Sequence, residues 1–252
     1  MKLMLAVIFV LGAGIGDARA QVEMGELQEK PVVRVGIMSF PGFSELNEAG
    51  EAVGKTVVLT RMLLEQAGYR ADIRIMPAAR IWRGLESGGV HLWPGILNKP
   101  ALKEHTLMTD RDLGQVGIDL YYRPGESEPE LPGALAGKRV ILITNYTYVT
   151  SLLDTLRDPE LGLEQVTSIS HIGAVQMLLK GRGDYLLDYQ VQVDAATRQL
   201  GIAPLPSVQM AEQPMRFILS QESGFAPELK ADLDRAYDEL ALQGVDLEVT
   251  RQ

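Results

Sequence analysis

Residues 32–95 contain a strand, a loop, a helix, a second strand and a second helix in quick succession. This order constrains the fold more than any other feature of the sequence. Residues 32–38 are rich in β-branched side chains, and Pro41 and Gly42 then force a turn. Ligands bind beyond the carboxyl ends of strands in open α/β sheets, so this turn is a candidate binding loop.

The helices of this region are predicted from apolar spacing and from their end signals. Residues 54–68 carry apolar side chains at helical intervals and end at Gly68, which suits a left-handed helix cap. Residues 71–76 alternate as a strand, and a second helix begins at Pro77. A further strand over residues 90–93 follows, which completes an α/β pattern.

The rest of the chain repeats the strand–loop–helix order after a polar, proline-containing linker over residues 123–130. Strands are predicted over 116–122, 140–144, 184–187 and 215–220, and helices over 172–180 and 227–242. We therefore expect an α/β fold of two lobes. Residues 21–122 plus 214–252 would form lobe 1, and residues 123–213 would form lobe 2.

The first twenty residues have the pattern of a signal peptide. Lys2 precedes an apolar run, and Ala18 and Ala20 match the small-x-small rule for cleavage before Gln21. The apolar run is shorter than the roughly 20 residues that span a bilayer. The sequence thus predicts export to the periplasm.

Composition excludes several kinds of function. The formal net charge is −9, which disfavours nucleic acid and anionic membranes as partners. There is no Cys, so disulfides, thiolate catalysis and cysteine-bound metals are excluded. The three His residues are far apart in sequence and have no metal-ligand spacing. We expect neither a metal nor a cofactor, and we expect a monomer.

The order of segments resembles the bacterial extracellular solute-binding protein family 3, periplasmic receptors that deliver polar amino acids and related solutes to ABC importers. Four stretches carry the resemblance: 33–43 (VRVGIMSFPGF), 85–89 (LESGG), 135–140 (LAGKRV) and 178–184 (LLKGRGD). The likeness runs through nearly all of the chain after the signal peptide. It implies a type II periplasmic-binding fold, in which a hinged cleft closes on a small solute.

The resemblance implies ligand contacts in the first lobe. An aromatic side chain after the first strand packs on the ligand in this family, and Phe40 and Phe43 match that position, although Phe43 could instead fill the core. Asn98 lies in a loop where family members present hydrogen bonds to the ligand, together with Trp93 and Gly95. Trp93 lies within a strand and could equally be buried.

The family's carboxylate-binding Arg is missing. The alignment on Pro100 places Leu102 at its position, with Lys103 adjacent. An Arg fork binds both oxygens of a carboxylate, whereas Lys supplies only a point charge. Arg80, near the start of a helix, is the candidate replacement. Both cations could instead be surface residues, and the departure weakens the case for an ordinary α-amino acid as ligand.

In lobe 2, the family's Gly-Thr/Ser-Thr loop corresponds to Asn145, Tyr146, Thr147 and Tyr148. Thr147 keeps the hydroxyl, and one of the two tyrosines is expected to form an aromatic wall. The family's acidic residue that holds an amino group aligns with Tyr189, while Asp188 lies one position early. A one-residue shift in a strand turns a side chain to the other face, so Asp188 reaches the cleft only if the strand ends or bulges.

Three functions follow from these observations. The first is a receptor that closes on a solute and delivers it to a membrane ABC permease. The second is a sensory ligand-binding protein that signals through a membrane partner. The third is a dehydratase or lyase in the same cleft, for which Asp188, Lys103 and His91 are the acid–base candidates.

Overall fold

The computed structural model describes residues 30–144, 146 and 148–250. The predicted signal peptide, residues 1–20, lies outside these ranges. The helices within them are α1 (Lys55–Gln66), α2 (Ala78–Ser87), α3 (Thr150–Arg157), α4 (His171–Leu179), α5 (Gln190–Leu200) and α6 (Ala226–Leu242). The strands are β1 (Val33–Ile37), β2 (Glu45–Leu46), β3 (Ala52–Val53), β4 (Ala71–Ile75), β5 (Leu92–Gly95), β6 (Thr106–Met108), β7 (Gly114–Tyr121), β8 (Arg139–Ile143), β9 (Glu164–Ser168), β10 (Tyr185–Tyr189) and β11 (Ser207–Ser220).

The first half of the molecule is built on the strand order β4-β1-β5-β11. β1 pairs in parallel with β4 and β5, while β11 runs antiparallel to β5 and also pairs with β6. Apolar residues of α1 and α6 form a core on one face of this sheet. Ile81 and Leu85 of α2 belong to a separate core cluster with Trp93 and Ile218. The sheet is therefore covered by helices on both faces.

The second half continues the same sheet in the order β7-β10-β8-β9. β10, β8 and β9 are parallel, and β7 runs antiparallel to β10. Side chains of α3 pack into one core cluster, and side chains of α4 and α5 pack into another. Both halves thus have the layered arrangement that parallel strands with helical crossovers adopt.

A long antiparallel ladder between β7 and β11 joins the two halves. Ser207 pairs with Tyr121 at one end and Met215 pairs with Gly114 at the other. Beyond that point, the last residues of β11 pair with β5 of the first half. Ile118 of β7 packs in a core cluster of the second half. We propose that the chain passes between the lobes within this ladder, before the boundary expected at 122/123.

Most predicted elements are confirmed. β1, β4, α1, α2, α4, β8 and α6 lie within a few residues of the positions expected from the sequence. α2 ends at Gly88 in the left-handed conformation, with φ of 73°. β11 begins at Ser207, well before the expected 215, and β9 and α5 were not predicted. No helix of the described ranges combines the length and apolar character required to cross a bilayer.

Candidate functional site

A cavity of about 570 Å³ lies between the two halves of the molecule. The first half contributes the turn after β1, the start of α2 and the loop after β5. The second half contributes the segments that follow β8 and β10. The loops beyond strand ends from both halves therefore face one space, as expected for an α/β ligand site.

The turn after β1 presents two phenylalanine rings to the cavity. The backbone N–H of Phe40 donates to Ser44 O (2.7 Å), and Phe43 N–H donates back to Phe40 O (2.9 Å). The Thr56 N–H donates to Phe43 O (3.0 Å) at the start of α1. A Cβ on Gly54 would lie 2.3 Å from that same oxygen, so this approach requires glycine. These bonds hold both rings at the cavity wall.

Both tryptophans of the protein line the cavity. Trp93 lies in β5 and is buried, and its indole covers Gly95, where a Cβ would lie 2.2 Å from a ring carbon. Trp82 comes from α2 and is half-buried. The Lys99 ammonium lies 4.2 Å from the centre of the Trp82 ring, a cation–π distance. The first half thus offers aromatic faces with a cation beside one of them.

The remainder of the cavity lining is mainly apolar. Met38, Ile75, Met76, Ile96 and Met215 supply aliphatic or thioether surface. Ser39, Thr56, Asn98, Thr144 and Thr250 supply neutral hydrogen-bonding groups. Among the described residues that line the cavity, Lys99 carries the one formal charge. An apolar wall with few polar groups fixes a ligand's orientation through those few groups.

The second half contributes an ordered chain of three polar side chains. Asp188 Oδ2 lies 2.7 Å from His171 Nδ1, and His171 Nε2 lies 2.9 Å from the Tyr146 hydroxyl. Asp188 is fully buried, whereas Tyr146 reaches the cavity. The second Asp188 oxygen, Oδ1, accepts the backbone N–H of Tyr189 (2.8 Å). This chain fixes the position of the Tyr146 side chain at the wall.

Burial governs the protonation of these groups. Burial raises the pKa of Asp188, while its hydrogen bond and charge interaction with His171 oppose that shift. Burial also raises the pKa of Tyr146, and the nearby Asp188 carboxylate acts in the same direction. Tyr146 therefore stays a neutral phenol at physiological pH, able to donate or accept a hydrogen bond.

Two further tyrosines pack beside Tyr146. Tyr189 lines the cavity, and its ring lies 5.7 Å from that of Tyr146 and 6.1 Å from that of Tyr148. Tyr148 is buried; its hydroxyl donates to Leu187 O (3.0 Å) and accepts from the Ile143 N–H (3.2 Å). Tyr148 therefore supports the wall from behind rather than lining it.

A smaller cavity of about 420 Å³ adjoins the first and shares Phe43, Val116, Val191 and Thr250 with it. Asp194 and Arg198, one helical turn apart on α5, both line it. Burial raises the pKa of Asp194, against the lowering effect of Arg198. Among the residues that the structure describes, no group of three or more His, Asp or Glu side chains is arranged to hold a metal.

Comparison with solved structures identifies the architecture. No protein-family model matches the sequence, and no curated protein matches it. An ancestral arginine-binding protein bound to arginine superposes with a TM-score of 0.66 at 20% identity, covering 87% of this chain and 96% of that one. The chain has the periplasmic-binding-protein fold. The resemblance to extracellular solute-binding proteins is thereby confirmed at the level of the fold.

Two other neighbours have the same fold. A histidine kinase sensor domain with similarity to periplasmic binding proteins has a TM-score of 0.68 at 21% identity, over 86% of this chain and 92% of that one. A Listeria monocytogenes protein described as an L-cystine ABC transporter has a TM-score of 0.68 at 20% identity, with the same coverage of both chains. In a periplasmic-binding fold, the cavity between the halves is the inter-lobe cleft.

Five residues predicted from the sequence line this inter-lobe cleft: Phe40, Phe43, Asn98, Tyr146 and Tyr189. They come from four separate segments, which the periplasmic-binding fold brings together. Asn145 and Thr147 lie outside the described residues. Their flanking residues Thr144 and Tyr146 both line the cleft.

The other four predicted residues lie elsewhere in the fold. Arg80 is exposed on α2, and Lys103 is exposed on a short 3₁₀-helix. Asp188 remains inside the strand ladder, paired with Asp119 of β7, and its carboxylate bonds to His171. Tyr148 is buried behind the wall. The condition for Asp188 to reach the cleft, an ended or bulged strand, is not met at its position.

Sequence reasoning missed several residues of the cleft. Trp82 and Lys99 were not among the residues predicted to contact the ligand, and Lys103 was chosen as a candidate cation because it lies next to the position of the family's Arg. Sequence reasoning also missed the hydrogen bond between His171 and Asp188, because these residues are 17 positions apart in the sequence. One signal was available for Lys99, since it directly follows Asn98 in a loop already identified as facing the ligand.

Proposed function

We propose that the protein is a periplasmic receptor that captures a small solute by closure of its two lobes and delivers it to an ABC importer. One observation carries the proposal: the loops beyond strand ends in both halves border a single cavity of about 570 Å³. This volume falls within the range of roughly 300–1,000 Å³ typical of small-molecule sites. A ligand that contacts both walls stabilises the closed form, since it binds that form better.

The lobes in this proposal follow those expected from the sequence, residues 21–122 plus 214–252 and residues 123–213, except that the first boundary moves from 122/123 into the β7–β11 ladder, where 213/214 already lies. Phe40 and Trp93 belong to the first lobe, while Tyr146 and Tyr189 belong to the second. Export by the segment 1–20 would place the receptor in the periplasm.

A receptor rather than an enzyme is favoured by the positions of the acid–base candidates. His91 is buried at the start of β5, and its Nδ1 accepts the Arg34 N–H (3.2 Å). Lys103 is exposed, and Asp188 is buried beside His171. General acid–base catalysis needs its groups within hydrogen-bond reach of a common substrate. These three residues occupy three different environments.

The two tryptophans provide a direct test, because all the tryptophan emission of the protein arises at the cleft. Titration with amino acids, amines and small carboxylates should change the emission and raise the melting temperature for at least one compound. Small-angle scattering should then show a smaller radius of gyration on binding. Absence of any response across all three compound classes contradicts a receptor role.

A sensory role is the second candidate, favoured by the sensor-domain neighbour of the same fold. Once a ligand is found, a strain that lacks this protein separates the two roles. In the importer case the strain loses uptake of the solute. In the sensor case it keeps uptake and loses the transcriptional response to the solute.

A further inference from the structure

We propose that the solute is a monoanion with an apolar, preferably aromatic, body, such as an aryl- or alkyl-carboxylate, and that Lys99 binds its anionic group. This inference rests on the receptor function proposed above and names the chemical class of the ligand. It differs from the polar amino acids that the sequence resemblance implies.

The charge on the cleft wall supports a single anion. Lys99 is the one formally charged residue among the described residues that line the larger cavity. Lys99 is half-buried, and its ammonium lies 4.2 Å from the centre of the Trp82 ring in a mainly apolar lining. A cation that apolar surface shields in part from water is stabilised by an opposite charge. One cation in an apolar wall therefore matches a ligand with one negative charge.

The position of Asp188 argues against a zwitterion. An α-amino acid also carries an ammonium group, which requires a carboxylate or several acceptors in the cleft. The Asp188 carboxylate is fully buried and bonds to His171 Nδ1 and to the Tyr189 N–H. Its two oxygens are thus bound within the protein, which leaves the ammonium of an amino acid without this partner.

The adjacent smaller cavity does not change the net positive charge of the residues that line the site. Asp194 and Arg198 lie one helical turn apart on α5 and carry opposite charges, so together they add no net charge to the site. A ligand that extends into this cavity would meet both. The net charge of the lining across the two cavities remains positive, because of Lys99.

The shape of the wall favours a planar apolar body. Trp82, Trp93 and Phe40 present aromatic rings from one side, and Tyr146 and Tyr189 present theirs from the other. Aromatic contacts add about 0.5–1.5 kcal/mol beyond simple burial of area. A ligand ring between the lobes would contact both sets and would favour closure.

A matched series of compounds tests the inference, since its members share one apolar body and differ in charge. The series comprises phenylbutyrate as the anion, phenylbutyramide as the neutral amide, phenylbutylamine as the cation and homophenylalanine as the zwitterion. Octanoate, arginine and glutamate extend it. Dissociation constants are measured from tryptophan emission and by calorimetry.

We expect phenylbutyrate or octanoate to bind at least about tenfold more tightly than every neutral, cationic and zwitterionic compound, a ratio that corresponds to about 1.4 kcal/mol. Lys99→Met should weaken phenylbutyrate binding to the level of the amide, while Lys99→Arg should keep the preference for the anion. Lys103→Met is the matched control, since that exposed lysine lies outside the cleft and should leave affinity unchanged.

Three results would overturn the inference. The first is tighter binding of homophenylalanine, arginine or glutamate than of either carboxylate, which would leave the receptor function intact. The second is equal binding of acid and amide, or an unchanged affinity in the Lys99→Met variant. The third is no binding by any compound of the series or its extension, which would remove the receptor proposal as well.

Discussion

The two walls of the cleft use their ionisable side chains in opposite ways. In the first lobe, Lys99 faces the cavity beside Trp82, and the buried His91 is bonded only to backbone. In the second lobe, Asp188 and His171 bond to each other and to Tyr146. The first wall thus offers a charge to a ligand, while the second uses its charges to fix its own geometry. Binding strength and wall rigidity are therefore expected to depend on different residues.

Removal of Asp188 should have the largest effect on stability. Asp188→Ala leaves His171 Nδ1 and the Tyr189 N–H without their acceptor inside a buried site. Each unsatisfied group costs about 1–3 kcal/mol, so we expect a loss of about 3 kcal/mol in the free energy of unfolding. Urea unfolding measures it. Asp154→Ala, at an exposed site of α3, should change stability by less than about 0.5 kcal/mol. Equal effects of the two substitutions would show that the hydrogen bonds of Asp188 do not stabilise the fold.

His91 should make the first lobe sensitive to acid. Burial, assisted by the Arg34 charge, lowers the pKa of His91 to about 4. An unfolded histidine binds its proton near pH 6.5. Between about pH 6.5 and 4 the unfolded state is therefore protonated while the folded state is not, so stability present above pH 6.5 is lost as the pH falls.

We expect this loss to reach about 2–3 kcal/mol, measured as the difference in unfolding free energy between pH 7 and pH 4.5. His91→Gln should show a correspondingly smaller difference than the wild type. The control is His105→Gln, at a partly exposed position, which should retain the full difference. If the His91→Gln variant lost as much unfolding free energy between pH 7 and pH 4.5 as the wild type, the neutral, buried state of this histidine would be contradicted.

Gly95→Ala should disturb the first wall without altering any charge. The new Cβ would lie 2.2 Å from the Trp93 indole, so the ring must move. Overpacking of this kind costs about 2 kcal/mol. It should also shift the tryptophan emission and weaken ligand binding. Gly133→Ala serves as the control, since a Cβ there meets no atom within 4 Å. An unshifted emission spectrum would show that Trp93 does not depend on Gly95.

The smallest effects should distinguish the two neighbouring tyrosines of the second wall. Tyr148→Phe removes hydrogen bonds to Ile143 and Leu187 and should reduce stability by about 1 kcal/mol, with little change in affinity. Tyr146→Phe removes the hydrogen bond between the Tyr146 hydroxyl and His171 Nε2, which fixes a ring that lines the cleft, and should alter the affinity of a bound solute. Calorimetric titration of both variants measures the contrast. Reversed results would exchange the roles assigned to the two rings.

The elements that could be predicted from the sequence have a clear apolar period or a clear end signal. β1 is rich in β-branched residues (Val33, Val35 and Ile37), and α2 lies between Pro77 and Gly88. β9 (EQVTS) has one apolar residue, and β11 contains Glu212, Gln213 and Pro214 within its ladder. Pairing with neighbouring strands, rather than local pattern, determines these two strands. Alternating Val191 and Val193 likewise conceal the helical period of α5.

The site was predictable where a side chain lies in a loop after a strand, or where it aligns with a ligand-contact position of the family, as Tyr189 does. Phe40 and Tyr146 could be identified for this reason, because the fold places such loops at the cleft. Trp82 and Lys99 come from a helix and from a loop that contact each other through tertiary structure. Asp188 lies one position before the residue that aligns with the family's acidic ligand contact. A shift of one position in a strand turns a side chain to the opposite face of the sheet, so its orientation could not be predicted.

The β7–β11 ladder has a mechanical consequence. Because the hydrogen-bonded strands β7 and β11 run from one half to the other, with one register shift between Gln209 and Ala211, the halves cannot slide apart or separate on a flexible linker. Relative movement is limited to bending and twisting of that ribbon. A movement of about an ångström at the cleft then becomes a larger displacement at the outer surfaces of the two halves. The displacement grows with the distance from the β7–β11 ladder. A membrane protein that touches both outer surfaces could therefore sense occupancy without touching the solute.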